Sequence, residues 1–122
     1  MKKVLSFILI LSLLTLTFAS CAAKFNEEDQ QLAEACATQA AAEYYRDYFK
    51  GKTISGVSYS DGKTSVKNST FEKGSYIVTI ELVANVSSGG YYLSRPVMDI
   101  KYSITVKDGT ATIVKTQYLT QN

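Results

Sequence analysis

The side chains able to do chemistry in this sequence are few, and they form no catalytic pair. The chain has no histidine, which excludes nucleophile–imidazole pairs, imidazole metal ligands and a histidine pH switch. Glu43 and Asp47 lie four residues apart on a predicted helix, but Arg46 between them favours a solvated, mixed-charge surface. Phosphate-binding glycine loops, Cys-x-x-Cys pairs and calcium loops are missing. We therefore expect no enzymatic activity, no cofactor and no metal site.

The first twenty residues have the pattern of a targeting segment. Lys2 and Lys3 precede an uncharged, mostly apolar run from Val4 to Ala19, which ends in small residues. This order is typical of a secretory signal. A run of about 16 apolar residues is short for a hydrocarbon core of roughly 30 Å. We predict a signal peptide over residues 1–20, with an uncleaved membrane anchor or a signal cut elsewhere as alternatives.

The end of this segment contains a recognisable motif, Phe18-Ala19-Ser20-Cys21. It resembles the lipobox of bacterial lipoproteins, although Phe18 stands where leucine is commonest. The resemblance implies a diacylglyceryl group on the Cys21 sulfur, cleavage just before Cys21 and acylation of the new amine. Two or more acyl chains anchor a protein stably, whereas one chain is marginal. In lipoproteins of this kind, an aspartate directly after the cysteine favours retention in the inner membrane. This chain has Ala22 at that position, so the resemblance implies an outer-membrane or cell-surface location.

Removal of the signal changes the charge balance. Without Lys2 and Lys3, 11 basic side chains face 11 acidic ones, so the net charge of +2 belongs to the precursor. No polybasic patch remains, and we therefore expect no nucleic-acid partner. The predicted partners are the membrane, through the acyl chains on Cys21, and an unidentified envelope or extracellular protein.

The second cysteine, Cys36, lies in an alanine-rich helical stretch. If Cys21 carries lipid, Cys36 has no disulfide partner and is expected to behave as a small buried apolar residue. Glu34 lies nearby, with no basic side chain within a helical turn to favour a thiolate. A bridge between Cys21 and Cys36 is the alternative if Cys21 is not lipidated.

After a tether over residues 21–25, the pattern predicts a helix from Glu27 to about Lys50. Asn26 is placed to cap it, and Glu27-Glu28-Asp29 suit the positive end of the helix dipole. Gly51 is expected to end the helix in a left-handed conformation. The predicted apolar stripe consists of residues four apart, with three alanines beside it. The stripe comprises Leu32, Cys36, Ala40, Tyr44 and Tyr48, and the alanines are Ala33, Ala37 and Ala41.

Beyond Gly51 apolar residues recur at every second position, and this alternation predicts strands. We expect strands over Thr53–Tyr59 with a bulge at Gly56, over Thr64–Phe71, from Tyr76 to Val86, over Met98–Val106 and over Thr110–Thr120. Turns are expected at Asp61-Gly62, Glu72-Lys73-Gly74, Ser87-Ser88-Gly89-Gly90 and Asp108-Gly109. Pro96 indicates an edge or a bend before Val97.

These elements predict a single α+β domain over residues 26–122. One long N-terminal helix would pack on an antiparallel meander sheet of four to five strands. The order resembles the cystatin-like and nuclear-transport-factor-like folds. The Gln-x-Val-x-Gly protease-binding hairpin of cystatins is missing, so inhibitor activity is not implied.

Two groups of aromatic residues are the candidate binding sites. Tyr91 and Tyr92 follow a glycine turn in the hairpin Ser88–Leu93, with Arg95 beyond, and tyrosine and arginine dominate binding hot spots. A covering of the sheet end is the alternative role for these aromatics. Tyr44, Tyr48 and Tyr102 could instead line a cavity between helix and sheet.

The leading hypothesis is a small envelope lipoprotein that acts as a non-enzymatic interaction or structural module. A ligand-carrier or inhibitor domain, using the helix–sheet cavity or the Ser88–Leu93 hairpin, is the alternative.

Overall fold

A computed structural model describes residues 24–120, apart from the Thr120 side chain. Helix α1 (Glu27–Tyr48) precedes strands β1 (Thr53–Ile54), β2 (Val57–Glu72), β3 (Ser75–Ser88), β4 (Tyr91–Lys107) and β5 (Thr110–Thr120). The strands form one antiparallel sheet in chain order. The prediction of a helix followed by an antiparallel meander in an α+β fold is confirmed. The predicted signal peptide and Cys21 lie outside the described residues.

The start of α1 is capped by a side chain, as predicted. Asn26 has extended backbone angles, and its side-chain oxygen accepts a hydrogen bond of 3.0 Å from the Asp29 amide. This bond satisfies one of the amide groups that a first helical turn leaves without a partner.

The end of α1 comes two residues earlier than predicted. The amides of Phe49 and Lys50 both donate to the Tyr45 carbonyl, at 2.9 and 3.0 Å. The helix therefore ends at Tyr48, and the chain turns through Gly51, whose φ of +78° is the left-handed conformation expected there.

The buried face of α1 lies one position along from the predicted stripe. Its buried residues are Ala33, Ala37, Ala41 and Tyr45. Leu32 and Tyr48, at the ends of the predicted stripe, are 40% and 60% exposed. Three alanines spaced by one turn let the helix backbone approach the sheet closely, so the larger side chains lie at the flanks.

Four two-residue turns join the strands, and both central residues of each have positive φ. Three were predicted as turns; Ser55-Gly56 was predicted to contain a bulge and instead forms a turn that separates the short β1 from β2. Positive φ at both positions matches the right-handed twist of the flanking strands. The turns are Ser55-Gly56, Lys73-Gly74, Gly89-Gly90 and Asp108-Gly109.

The predicted turn at Asp61-Gly62 is wrong, because β2 runs through it. Tyr59 pairs with Val86 and Gly62 with Ala84, so two residues of β2 oppose Asn85 and form a bulge. A second bulge interrupts the pairing of β4 with β3 next to Pro96, where a bend or an edge was expected.

The core lies between α1 and one face of the sheet. Alternate residues of β3 and β4 supply it, and the polar members of the alternation lie on the other face. The buried apolar residues of the sheet are Tyr76, Val78, Ile80, Leu82, Ala84, Val86, Ile100, Tyr102 and Ile104.

Candidate functional site

The β3–β4 hairpin presents the most exposed apolar surface among the described residues. Tyr91 is 77% exposed, Tyr92 84% and Leu93 53%, directly after the Gly89-Gly90 turn. These residues point to both faces of the sheet. Leu93 pairs with the core residue Val86 and therefore lies on the helix side of the sheet, and its neighbour Tyr92 lies on the other side. We call residues 89–95 the tip.

Arg95 lies on the helix side of the sheet, opposite Ala84, and is exposed. It is the single charged side chain between Ser87 and Val97. The structure therefore places Tyr91, Tyr92 and Arg95 on one exposed strand, with a shallow depression of about 370 Å³ beside Tyr92 and Ser94.

The outer edge of β4 is open along the tip. The last pair between β4 and β5 joins Met98 to Thr120. Within residues 24–120, no strand pairs with the outer edge of β4 from Tyr91 to Val97. The backbone groups that point outward there are available to another strand.

The tip and the start of the helix lie at opposite ends of the sheet. The Asn26 amide donates to the Tyr76 hydroxyl at 2.8 Å, and that hydroxyl donates to the Asn26 carbonyl at 3.0 Å. Phe25 also contacts the Phe71 and Tyr76 rings, with centroids 5.9 and 6.1 Å away. Tyr76 is the second residue of β3, and the tip follows the last residue of the same strand. At about 3.3 Å per residue the two are roughly 45 Å apart.

The second candidate group, Tyr44, Tyr48 and Tyr102, lies on the β5 side of the helix. Tyr44 stacks on Tyr118, with ring centroids 4.8 Å apart, and also lies 4.8 Å from Tyr48. Tyr102 is 3% exposed. Burial, reinforced by Tyr118, Cys36 and Tyr44 nearby, raises the pKa of Tyr102 to about 12. The rings of Tyr44, Tyr48 and Tyr118 thus form one aromatic cluster, and Tyr102 is buried near Tyr44 and Tyr118. The sequence analysis did not predict Tyr118 as part of this group.

A groove of about 380 Å³ lies elsewhere, between α1 and β2. The Tyr45 hydroxyl beside it donates to the Ser60 carbonyl at 2.6 Å. An exposed contact of 3.6 Å joins Lys50 and Asp61, and such pairs contribute little to stability. The groove residues are Gln39, Ala42, Glu43, Tyr45, Arg46, Lys50, Asp61, Gly62 and Thr64. The sequence pattern nearest this groove is Asp61-Gly62, for which a turn is predicted.

Other chemistry is sparse in the part of the chain that the structure describes. Cys36 is half-buried and is a free thiol. No group of three acidic or cysteine side chains within residues 24–120 is placed to hold a metal ion. Over the same residues, no helix is both long and apolar enough to cross a membrane.

Comparisons with known proteins supply no relative. No family model, no curated protein and no solved structure matches the chain.

Proposed function

We propose that this chain is a small bacterial envelope lipoprotein whose domain is a non-enzymatic interaction module. Acyl chains on Cys21 would hold it in the outer membrane or at the cell surface, and the tip would bind a protein partner. Anchoring confines the domain to a surface, which raises its effective concentration towards a partner there.

The observation that carries the proposal is the exposure of Tyr91, Tyr92 and Leu93 in one run. A folded domain gains nothing in stability from aromatic rings that remain in water, and such residues dominate protein-binding hot spots. The tip residues from Tyr91 to Arg95 are already paired with β3, so binding requires less ordering of the backbone than an unpaired segment would need.

The position of the tip supports the same function. Three residues separate Cys21 from Phe25, which packs on Phe71 and Tyr76 at the far end of the sheet. A lipid on Cys21 would leave the tip at the membrane-distal end when the strands stand upright. The order of one helix and a meander sheet also supports a cystatin-like arrangement as the framework for this display.

Detergent phase separation of the full chain tests the anchor. We expect the wild-type protein in the detergent phase and Cys21→Ala in the aqueous phase. Cys36→Ala is the matched control, because it removes the other thiol and should leave partitioning unchanged. A Cys21→Ala variant that stays in the detergent phase would contradict the lipid anchor.

Photo-crosslinking in cells tests the tip. A benzophenone amino acid at position 92 should give a discrete protein adduct, and the same probe at Lys107, exposed at the opposite end of β4, should not. Equal adduct patterns from both positions would contradict a binding role for the tip.

A small-ligand carrier is the second candidate, and the groove between α1 and β2 favours it. Its volume falls within the usual range for ligand pockets, about 300–1,000 Å³. Two basic and two acidic side chains line it, together with the Tyr45 ring: Arg46, Lys50, Glu43 and Asp61. The anionic dye anilinonaphthalene sulfonate should fluoresce on binding there. Ala42→Trp should block the groove and abolish the signal, whereas Ala35→Trp, at an exposed position outside the groove, should not.

A further inference from the structure

We infer that the tip pairs with the tip of a second copy of this chain, edge to edge along β4. This inference rests on the proposed function, because it names the occupant of the same surface. The partner is identified by three properties of the open edge: its backbone directions, its self-complementary register and its side-chain chemistry.

The backbone directions follow from the turn. In a two-residue hairpin the flanking residues, here Ser88 and Tyr91, form a hydrogen-bonded pair, so the backbone of Tyr91 points towards β3. Directions alternate along a strand, so Leu93 also points inward, and Tyr92 and Ser94 point outward.

The position of Pro96 is consistent with these backbone directions. By the same alternation its nitrogen faces the open edge, and an edge is where a strand tolerates a residue without an N–H donor. Pro96 also limits the length of any added strand, since it can accept but cannot donate a hydrogen bond.

An antiparallel pair of identical edges has a two-fold axis, and the side chains select its position. With the axis at Leu93, Tyr92 lies opposite Ser94 of the second copy, and both residues exchange N–H and C=O hydrogen bonds. An axis at Ser94 also allows four hydrogen bonds, but it would place Leu93 opposite Arg95 of the second copy. The axis at Leu93 instead places the two apolar Leu93 side chains opposite each other, and this difference selects it.

The side chains are complementary in this register. Leu93 meets Leu93 of the second copy, which covers an apolar side chain that the free domain leaves half in water. Arg95 lies opposite Tyr91 on the helix side, where its guanidinium can rest on the ring. No charged group meets a like charge, because Arg95 is the single charged side chain on the edge.

The paired chains would share one continuous sheet, with β5 and the strand of the second copy on the same edge of β4 and both helices on the same face. Because the strands run antiparallel, the two Phe25 ends point in opposite directions. Copies that stand upright in one membrane would therefore not pair in this way, and the pair would join domains held at two facing surfaces. A few edge pairs bury little surface, which predicts a weak, concentration-dependent dimer. Pairing is therefore tested on the full chain in detergent solution, where the orientation of the anchors places no constraint on it.

Disulfide trapping tests the register, in a Cys36→Ala background. At a pair without hydrogen bonds the two Cα atoms are about 4.5 Å apart, so oxidised Leu93→Cys should give a covalent dimer. Tyr91→Cys should not, because two copies of position 91 would be about 13 Å apart. Tyr91 is more exposed than Leu93, so random collision would favour the control. Equal or greater trapping of Tyr91→Cys would overturn the register.

Sedimentation over a range of concentrations gives a second measurement. Ser94→Pro removes an outward donor at two symmetric positions and should weaken dimerisation by about tenfold or more. Ser94→Ala keeps the donor and should dimerise like the parent. A chain that stays monomeric at all concentrations, yet gives a photo-adduct with a different protein at position 92, would overturn self-pairing and leave the proposed function standing. Loss of both the adduct and the membrane anchor would overturn the proposed function itself.

Discussion

The ring of Tyr45 occupies the space where residue 62 would carry a side chain. A Cβ on Gly62 would stand 2.5 Å from Cε2 and 2.6 Å from Cδ2 of Tyr45. This contact brings the C-terminal half of α1 onto the β2 bulge, where the Tyr45 hydroxyl reaches the Ser60 carbonyl. Gly62 is thus required for packing, and its φ is not in the left-handed region.

Replacement of Gly62 by alanine should destabilise the domain by about 1–3 kcal/mol, the usual cost of overpacking. Urea denaturation would measure it. The effect should shrink in a Tyr45→Leu background, since the ring is what the methyl group meets. Equal losses in both backgrounds would contradict the packing role of Gly62.

The pair of hydrogen bonds between Asn26 and Tyr76 should stabilise the start of the helix. Tyr76→Phe removes both, and we expect a loss of about 1–2 kcal/mol with faster amide exchange in the first turn of α1. Tyr59→Phe is the control, because no hydrogen bond of the Tyr59 hydroxyl occurs within residues 24–120. Unchanged exchange in Tyr76→Phe would show that the bonds do not hold the helix start.

Stability should fall at alkaline pH because Tyr102 is buried. Its pKa of about 12 in the folded protein exceeds the ordinary value of 10.0, so the folded state holds this proton more tightly. The stabilisation is complete below pH 10 and is lost as the pH rises through 12. In phenolate absorbance, Tyr102 should contribute the part of the tyrosine titration that occurs at the highest pH, and Tyr102→Phe should remove that part and flatten the pH dependence of unfolding. An unchanged titration curve would contradict the assignment.

Substitutions in the tip should impair binding without changing the stability of the domain. Tyr91→Ala and Tyr92→Ala should each change the unfolding free energy by less than about 0.5 kcal/mol, because exposed side chains contribute little, while dimerisation is weakened. Tyr91→Ala should also weaken the photo-adduct from position 92. Ile80→Ala, at a fully buried core position, should cost about 2–5 kcal/mol. A large loss of stability in Tyr92→Ala would indicate a covering role for the aromatics.

The exposed tyrosines of the candidate site were predictable, whereas the open edge beside them was not. Gly89-Gly90 indicates a turn by its own conformational freedom, and two adjacent strand residues must face opposite sides. The open edge depends on where β5 stops against β4, opposite Met98. No local pattern in either strand encodes that relationship.

The sequence by itself determined the helix, its Asn26 cap, the alternation of β3 and three of the four turns. These features depend on residues a few positions apart, whose spacing and conformational preferences act locally. The tertiary structure alone decided the one-residue shift of the buried helix face, the bulge at Ser60-Asp61 and the opposite placement of Phe25 and the tip. Each depends on side chains distant in sequence that compete for the same space, as Tyr45 and Gly62 do, and this competition exists only once the helix lies on the sheet.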